Sequence, residues 1–298
     1  MTIGQDIYAE ITAKIVAQIE AGVIPWTQPW ATRTGASFEG LPSNASTKRG
    51  YSGVNILLLW SAQIDRGFRS SQWVTFKQAL DMGGNVRKGE RASMAVFADR
   101  FIPKGEKAKA AETGEHPRAV PFLKKFAVFN VEQCDGIGAA PAKQPDLSTI
   151  EPAAAALIAK TGAQITIGGD KACYIPSCDS IFLPSPESYF ESVNWHRTAF
   201  HELGHWTGHK SRLDRDLTNG FGSHGYAREE LIAEMAGAFT CAAMGIVPTV
   251  RHADYLGSWL KVLKEDSRAI VRAASSASKA ADYILAYRAA DSVEKIAA

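Results

Sequence analysis

The sequence predicts an α+β protein with two domains, and three observations lead to that prediction. The chain has 298 residues, which exceeds the usual size of one compact core. Stretches with apolar residues at helical spacing occur among short β-rich runs in irregular order. Residues 136–150 are rich in glycine, proline and alanine, as linkers are. We therefore assign residues 1–135 and 151–298 to separate domains.

In the first domain, the spacing of apolar residues predicts most elements. Isoleucine recurs at every fourth position from Ile3 to Ile19, which places one apolar stripe along a helix. The predicted helices span residues 4–21, 55–65 and 71–80, and the predicted strands span residues 92–97 and 126–131. Residues 103–119, rich in Lys, Ala and Glu, are expected to form a mobile surface insertion.

The second domain is predicted to be mainly helical. Its predicted helices span residues 151–160, 191–208 and 228–244 and most of 254–288, and its predicted strands span residues 164–167 and 180–183. The segment from Asp179 to Pro184 is expected to be an edge strand able to pair with an extended peptide.

Composition points to a globular protein of the cytoplasm. Hydrophobic residues make up 46% of the chain and charged residues 21%. No apolar run approaches the ~20 residues that cross a bilayer. The first residues lack the pattern of a secretory signal, so no membrane partner is expected. The four scattered cysteines predict reduced thiols instead of disulfides.

Charge is distributed unevenly along the chain. Residues 1–130 contain 17 Lys and Arg against 11 Asp and Glu, whereas the remainder contains 16 against 20. The excess of basic residues in the front half favours binding to a polyanion.

Basic and aromatic residues are interleaved in this front half, a mixture typical of surfaces that bind single-stranded nucleic acid. The predicted contacts are Lys48, Arg49, Tyr51, Arg69, Trp73, Lys77, Arg87 and Lys88. The alternative is that the aromatic residues fill the core of a small domain. Residue types alone leave the two open.

The clearest chemical motif is His201-Glu202-Leu203-Gly204-His205, which fits the pattern H-E-x-x-H. On a helix, residues four apart share a face, so both imidazoles can reach one ion. Neutral imidazole suits Zn²⁺, with another divalent metal such as Mn²⁺ as the alternative. Glu202 lies beside the ion in this arrangement and is the predicted general base. Tyr174, Tyr226 and His209 are candidate donors to the oxyanion, and a structural role is the alternative for each.

A third ligand is needed, and two arrangements of the sequence could supply it. The extended motif ending in a third histidine is disfavoured, because Ser211 stands at that position. A glutamate from the later helix is the other solution. We predict Glu230 as the ligand and Glu234 as a carboxylate that orients a histidine. Glu229 is the alternative ligand.

Several short motifs occur in a fixed order along nearly the whole chain. They are Pro42-Ser43-Asn44, Tyr51–Asn55, Trp73-Val74-Thr75, Gly83-Gly84, Val86–Glu90, Val128–Val131, Asp179–Pro184, His201–Thr207, Arg212-Leu213 and Glu229–Glu234. In this order they resemble the ArdC-type antirestriction proteins, and the front half also resembles the start of TraC-type plasmid primases.

The resemblance implies a domain that binds single-stranded DNA followed by a zincin-like metallopeptidase domain. It also implies a role on conjugative plasmids, in protecting incoming DNA from restriction. Related metallopeptidase domains cleave DNA-bound proteins, so the expected partners are single-stranded DNA and a protein such as a restriction enzyme. The alternative is a non-enzymatic DNA shield with a structural or vestigial metal. Polymerisation of nucleotides is disfavoured, since the sequence offers no suitable acidic cluster.

Overall fold

The computed structural model describes residues 6–27, 40–114, 116–117, 119–138, 146–220, 222–249 and 255–288. Its helices and sheets confirm the predicted α+β class. The helices are α1 (Ile7–Glu20), α2 (Val54–Arg66), α3 (Phe76–Asp81), α4 (Lys104–Thr113), α5 (Leu147–Lys160), α6 (Val193–Trp206), α7 (His224–Ala243), α8 (Leu256–Glu265) and α9 (Ala269–Ala286). The strands are β1 (Ser43–Asn44), β2 (Gln72–Val74), β3 (Asn85–Val86), β4 (Ser93–Phe101), β5 (Val120–Asn130), β6 (Cys134–Asp135), β7 (Gln164–Ile167), β8 (Cys173–Ile175) and β9 (Ser180–Leu183).

Two main sheets organise these strands. The front sheet has the order β1-β2-β5-β4, with β1 parallel to β2 and the other pairs antiparallel. A small antiparallel pair of β3 and β6 stands beside it. The rear sheet has the order β7-β9-β8, with β7 parallel and β8 antiparallel to β9. Consequently β9 is the central strand of its sheet, and β8 is an edge.

The structure corrects the prediction of one helix over residues 71–80. Residues 72–74 form strand β2, and only the six residues from Phe76 onward form helix α3. Thr75 separates the two, because its hydroxyl accepts from the amide of Gln78 at 3.2 Å while the Gln78 side chain accepts from the Thr75 amide at 2.9 Å. This capping box fixes the start of the helix.

The predicted surface insertion over residues 103–119 also contains regular structure. Helix α4 occupies Lys104–Thr113, and strands β4 and β5 extend to either side of it as one long hairpin. Alanine, lysine and glutamate favour helix, so the composition that suggested mobility also supports this helix. Within the second domain, β7 and β9 match the predicted strands, whereas β8 was not predicted.

One hydrophobic core joins the two halves of the chain. Helices α1 and α2 from the front pack against α7, α8 and α9 from the rear. The rings of Trp26 and Trp259 meet edge to face with centroids 5.7 Å apart, and both side chains are fully buried. The Thr12 hydroxyl donates to the carbonyl of Ser267 at 2.7 Å across the same boundary. The domain boundary at residues 136–150 remains a prediction, and residues 139–145 lie outside the described residues.

Helix length and polarity bear on membranes. In the ranges described above, every helix is too short or too polar to cross a lipid bilayer.

The shared core predicts that the two halves unfold together. Replacing Trp259 with alanine should lower the free energy of unfolding by about 3–5 kcal/mol, because it leaves a cavity between them. Urea unfolding followed by circular dichroism and by tryptophan fluorescence should give coincident transitions in the wild type and the variant. Two separated transitions, with only one displaced by Trp259→Ala, would contradict a common core.

Candidate metal centre

Helix α6 carries His201, Glu202 and His205 on a buried segment. The neighbouring side chains Phe200 and Leu203 are fully buried and anchor the helix in the rear core. His201 is 3% exposed and Glu202 4% exposed. Burial of an imidazole and a carboxylate is costly unless each has a polar partner. For His201 those partners come from helix α7.

Helices α6 and α7 approach closely because glycines stand where they cross. A Cβ atom at Gly204 would lie 3.1 Å from the Cα of Ala233, and one at Gly237 would lie 3.2 Å from the backbone nitrogen of His201. A side chain at either position would therefore require the neighbouring helix to shift by a few tenths of an ångström. The close contact brings the carboxylates of α7 within reach of the imidazoles.

Three side chains converge as a metal-binding set. The Nε2 of His201 lies 3.6 Å from one carboxylate oxygen of Glu230, and the Nε2 of His205 lies 3.5 Å from the other. One ligand atom from each residue lies within 4.8 Å of the others. Two imidazole nitrogens and a carboxylate oxygen form the protein ligands of many catalytic zinc sites, in which a fourth position is left for water. The donor set therefore fits a divalent metal ion.

The two other glutamates of α7 face the opposite ring nitrogens. The Nδ1 of His201 lies 3.3 Å from Glu234, and the Nδ1 of His205 lies 3.2 Å from Glu229. Carboxylates in these positions fix the tautomer and orientation of ligating histidines. The geometry thus supports orienting roles for both Glu234 and Glu229, and it places Glu230 between the two Nε2 atoms.

Arg215 adds a contact that the sequence analysis missed. Its guanidinium donates to both carboxylate oxygens of Glu229, at 2.7 and 3.0 Å. It also donates to the carbonyl of Gly204 at 2.6 Å and to the hydroxyl of Thr207 at 2.9 Å. Arg215 therefore fixes Glu229 relative to the end of α6. Because Arg215 lies in an irregular loop, no periodic pattern in the sequence marks it.

The buried charges shift one another's pKa values. Burial opposes protonation of His201, but Glu230 and Glu234 outweigh it and raise the pKa of His201 to about 9. Burial likewise opposes protonation of His205, but Glu229 and Glu230 raise its pKa to about 10. Although burial opposes it, the two imidazoles hold the pKa of Glu230 well below its usual range. A metal ion therefore competes with protons for the two Nε2 atoms.

A cleft of about 240 Å³ opens onto this cluster. Glu202, His201 and His205 line it together with residues of strand β8. The prediction that residues 179–184 form the edge strand is wrong, because β9 is paired on both sides. The free edge at the cleft belongs to β8, which pairs with β9 through Tyr174 and Ile181.

The three residues weighed as oxyanion donors lie in different surroundings. Tyr226 lines the cleft with its hydroxyl 3.2 Å from that of Tyr255. Burial, with Tyr255 and Glu230 alongside, raises the pKa of Tyr226 well above its usual range, so this hydroxyl stays protonated. Tyr174 also lines the cleft, but its hydroxyl donates to Asp179 at 2.8 Å. His209 is hydrogen-bonded to Ser211 at 2.8 Å in the loop after α6.

The structure separates the predicted DNA-contact residues into two groups. Lys48, Arg49, Arg69, Lys77 and Lys88 are exposed. The other three, Tyr51, Trp73 and Arg87, are buried or already bonded to neighbouring residues.

Among the second group, Trp73 is fully buried, so its ring cannot stack on a base. Tyr51 is partly buried against the small hydrophobic cluster that contains Trp73. Arg87 is exposed but already engaged, since it pairs with Glu90 at 2.9 Å and donates to the carbonyl of Glu132 at 2.6 Å. These three residues are occupied in holding the front domain together.

The fold and the metal-ligand cluster define the class of protein. Residues 152–276 match the family described as zincin-like metallopeptidase. Residues 5–129 match the family described as the N-terminal domain of the anti-restriction factor ArdC. Both matches agree with the resemblance found in the sequence motifs.

Solved structures identify the family. The metal-free crystal structure of the antirestriction protein ArdC from plasmid R388 has 36% sequence identity to this chain and a TM-score of 0.80, over 96% of this chain and 98% of that one. The Mn(II)-bound structure of the same protein has 35% identity and a TM-score of 0.78, over 95% and 98%. The chain belongs to the ArdC family of antirestriction proteins.

A longer relative contains the same combination. The DNA primase TraC of Escherichia coli is 38% identical over 94% of this chain. This chain spans only 27% of the length of that primase. The similarity thus covers both halves of the present chain and a minor part of TraC.

The geometry predicts a ranking of the three glutamates in metal binding. Glu230→Gln should weaken Zn²⁺ binding more than Glu234→Gln or Glu229→Gln, for which the expected cost is about 10- to 100-fold. The comparison is made by competition with a chromophoric chelator. If Glu229→Gln or Glu234→Gln proves more damaging than Glu230→Gln, the ligand is misassigned.

Arg215 provides a second prediction about the same centre. Arg215→Lys removes the two-pronged contact to Glu229 and should weaken Zn²⁺ binding about 10-fold through the orientation of His205. Arg212→Lys is the matched control, since Arg212 lies in the same loop but donates to Asp179 at 3.0 Å. Equal effects of the two substitutions would argue against a specific role for Arg215.

Proposed function

We propose that this chain is an antirestriction protein that binds single-stranded DNA and hydrolyses peptide bonds at a zinc site. The observation that carries the proposal is the convergence of His201, His205 and Glu230 beside Glu202 in an open cleft. Two imidazoles and one carboxylate with room for a fourth ligand favour Zn²⁺. Mn²⁺ is the alternative, because the R388 relative was solved with Mn(II).

The residues of the chain have distinct roles in this proposal. A bound metal ion would supply a water molecule whose pKa is lowered toward neutrality. His201, His205 and Glu230 hold the ion. Glu202 lines the cleft beside the two histidines, where its carboxylate can accept a proton from water and pass it to the leaving amide nitrogen.

The peptide substrate is placed by backbone pairing. Strand β8 borders the cleft, and one of its edges pairs with no other strand in the described part of the chain, which suits an extended peptide added as a further strand. The protonated hydroxyl of Tyr226 lies on the same cleft and is suited to donate to the developing oxyanion. Because strand pairing reads backbone groups, recognition of this kind tolerates varied substrate side chains.

The front half supplies the contact with DNA. Its excess of basic residues and the exposed lysines and arginines support binding of a polyanion. Binding to DNA would raise the local concentration of proteins bound to the same strand. The proposed protein substrates are accordingly restriction enzymes or other DNA-bound proteins, encountered in the cytoplasm during plasmid transfer.

The alternative function is a DNA-binding shield in which the metal is structural or vestigial. It differs from the enzyme in one respect, the need for Glu202. Since Glu202 forms part of the cleft wall and not of the ligand set, it can be changed without removing a ligand.

Replacement of Glu202 with glutamine tests the enzyme against the shield. The variant should bind Zn²⁺ as the wild type does, but its hydrolysis of fluorescently labelled casein with single-stranded DNA present should fall by about 10²- to 10⁴-fold, through loss of the general base. Its protection of incoming plasmid DNA in a restricting host should fall as well.

Retained metal and loss of both activities support the enzyme. Full protection by Glu202→Gln would show that the shield is the function. Loss of metal in this variant would show that Glu202 has a structural role in the centre. Asp216→Asn serves as the control, because Asp216 lines the same cleft without belonging to the ligand set or to the orienting carboxylates.

A further inference from the structure

Two segments of the front half lie side by side and form one exposed surface. Lys48 and Arg49 lie in the turn that follows β1, and Phe76 and Lys77 open helix α3. The turn and the helix are joined by a hydrogen bond from the Asn44 side chain to that of Gln78 at 2.9 Å. We call the four residues Lys48, Arg49, Phe76 and Lys77 the turn–helix surface.

An aromatic ring stands open to solvent at this surface. Phe76 is 51% exposed, although burial of a phenylalanine side chain would stabilise the fold. Its ring is held edge to face against Phe129, with centroids 6.5 Å apart. Leu80, one turn further along α3, is 50% exposed. The ring is therefore fixed in place but presents a free face.

The charged residues of the turn–helix surface are all basic. Lys48, Arg49 and Lys77 are exposed, and none forms an ion pair with another residue in the described part of the chain. The segments 43–50 and 72–80 contain no aspartate or glutamate. The nearest acidic residue along α3 is Asp81, at the far end of the helix. Three exposed cations and an exposed ring on the same two adjoining segments match the phosphates and bases of a single strand.

We propose that Phe76 is the stacking platform for a base of single-stranded DNA and that Lys48, Arg49 and Lys77 contact the flanking phosphates. This rests on the DNA binding proposed above and assigns it to a surface. Bases present a stacking face whatever their identity, so the contact is expected to tolerate any sequence. Phe76 would thus provide the stacking contact that the buried Trp73 cannot provide.

A second exposed aromatic pair offers a matched control. Phe97 and Phe126 lie on the hairpin of β4 and β5, with ring centroids 6.3 Å apart and Phe97 53% exposed. Among the described side chains, Lys124 lies 5.5 Å from the Phe126 ring. Phe97 thus matches Phe76 in residue type and exposure but lies outside the turn–helix surface.

The test measures binding of the full-length protein to a fluorescein-labelled 20-nucleotide oligothymidylate by fluorescence anisotropy, over a series of salt concentrations. Phe76→Ala should weaken binding about 5- to 100-fold. Phe76→Trp should bind at least as tightly as the wild type, which separates lost stacking from lost folding. Phe97→Ala should bind as the wild type does. Lys48→Gln and Lys77→Gln should each reduce the salt dependence by about 0.7 in log–log slope.

Each outcome decides between specific alternatives. Weakening by Phe97→Ala but not by Phe76→Ala would overturn the proposal in favour of the hairpin. Unchanged DNA binding in Phe76→Ala combined with lost plasmid protection would assign the surface to a protein partner and overturn it as well. If the wild-type protein fails to bind the oligonucleotide, the proposed DNA-binding function itself fails, and the surface assignment fails with it.

Discussion

The close contact of helices α6 and α7 is the constraint on which the rest of the site depends. Gly204 and Gly237 allow the two helix backbones to approach closely, since a Cβ atom at either position would lie 3.1–3.2 Å from the backbone of the opposite helix. At this separation the carboxylates of α7 lie within 3.2–3.6 Å of the imidazole nitrogens. Metal-ligand distances tolerate a few tenths of an ångström, so two glycines that offer no ligand atom help to set the geometry of the site.

The contact buries several ionisable groups, and the surrounding structure compensates for that burial. Two histidines and three glutamates approach one another between the helices, and Arg215 adds a positive charge at the outer side of Glu229. Removing one partner of such a cluster leaves another charge uncompensated in a poorly solvated place. The same arrangement that suits a metal ion therefore also makes the centre sensitive to substitutions in its orienting residues.

The sequence predicted the site better than it predicted the elements around the site. The four-residue spacing of His201 and His205 directly encodes a shared helix face, so their convergence followed from periodicity. The choice among Glu229, Glu230 and Glu234 depends on how α7 crosses α6, which spacing within either helix does not specify. The contact of Arg215 arises from a loop after the helix, where no regular repeat constrains which residue points inward.

Local patterns were also misleading where tertiary structure outweighed them. Trp73 lies among basic and aromatic residues, as is typical of a DNA-binding surface, yet on strand β2 its side chain points into the core. The short apolar run around it suits either a helix or a strand, and pairing with Asn130 on β5 decides for the strand. The long hairpin and the helix between its strands likewise depend on pairing between distant segments, which a single sequence does not display.

The core shared by the two halves has a consequence for how such proteins arise. Helix α7 carries all three glutamates, and its Phe239 meets Trp60 of α2 edge to face with centroids 5.8 Å apart, so the front half forms part of the support of the candidate metal centre. A recombination event that exchanged one half for an unrelated domain would have to rebuild that packing at the same time. Exchange of one half alone is therefore disfavoured, and both halves have counterparts within the much longer TraC chain.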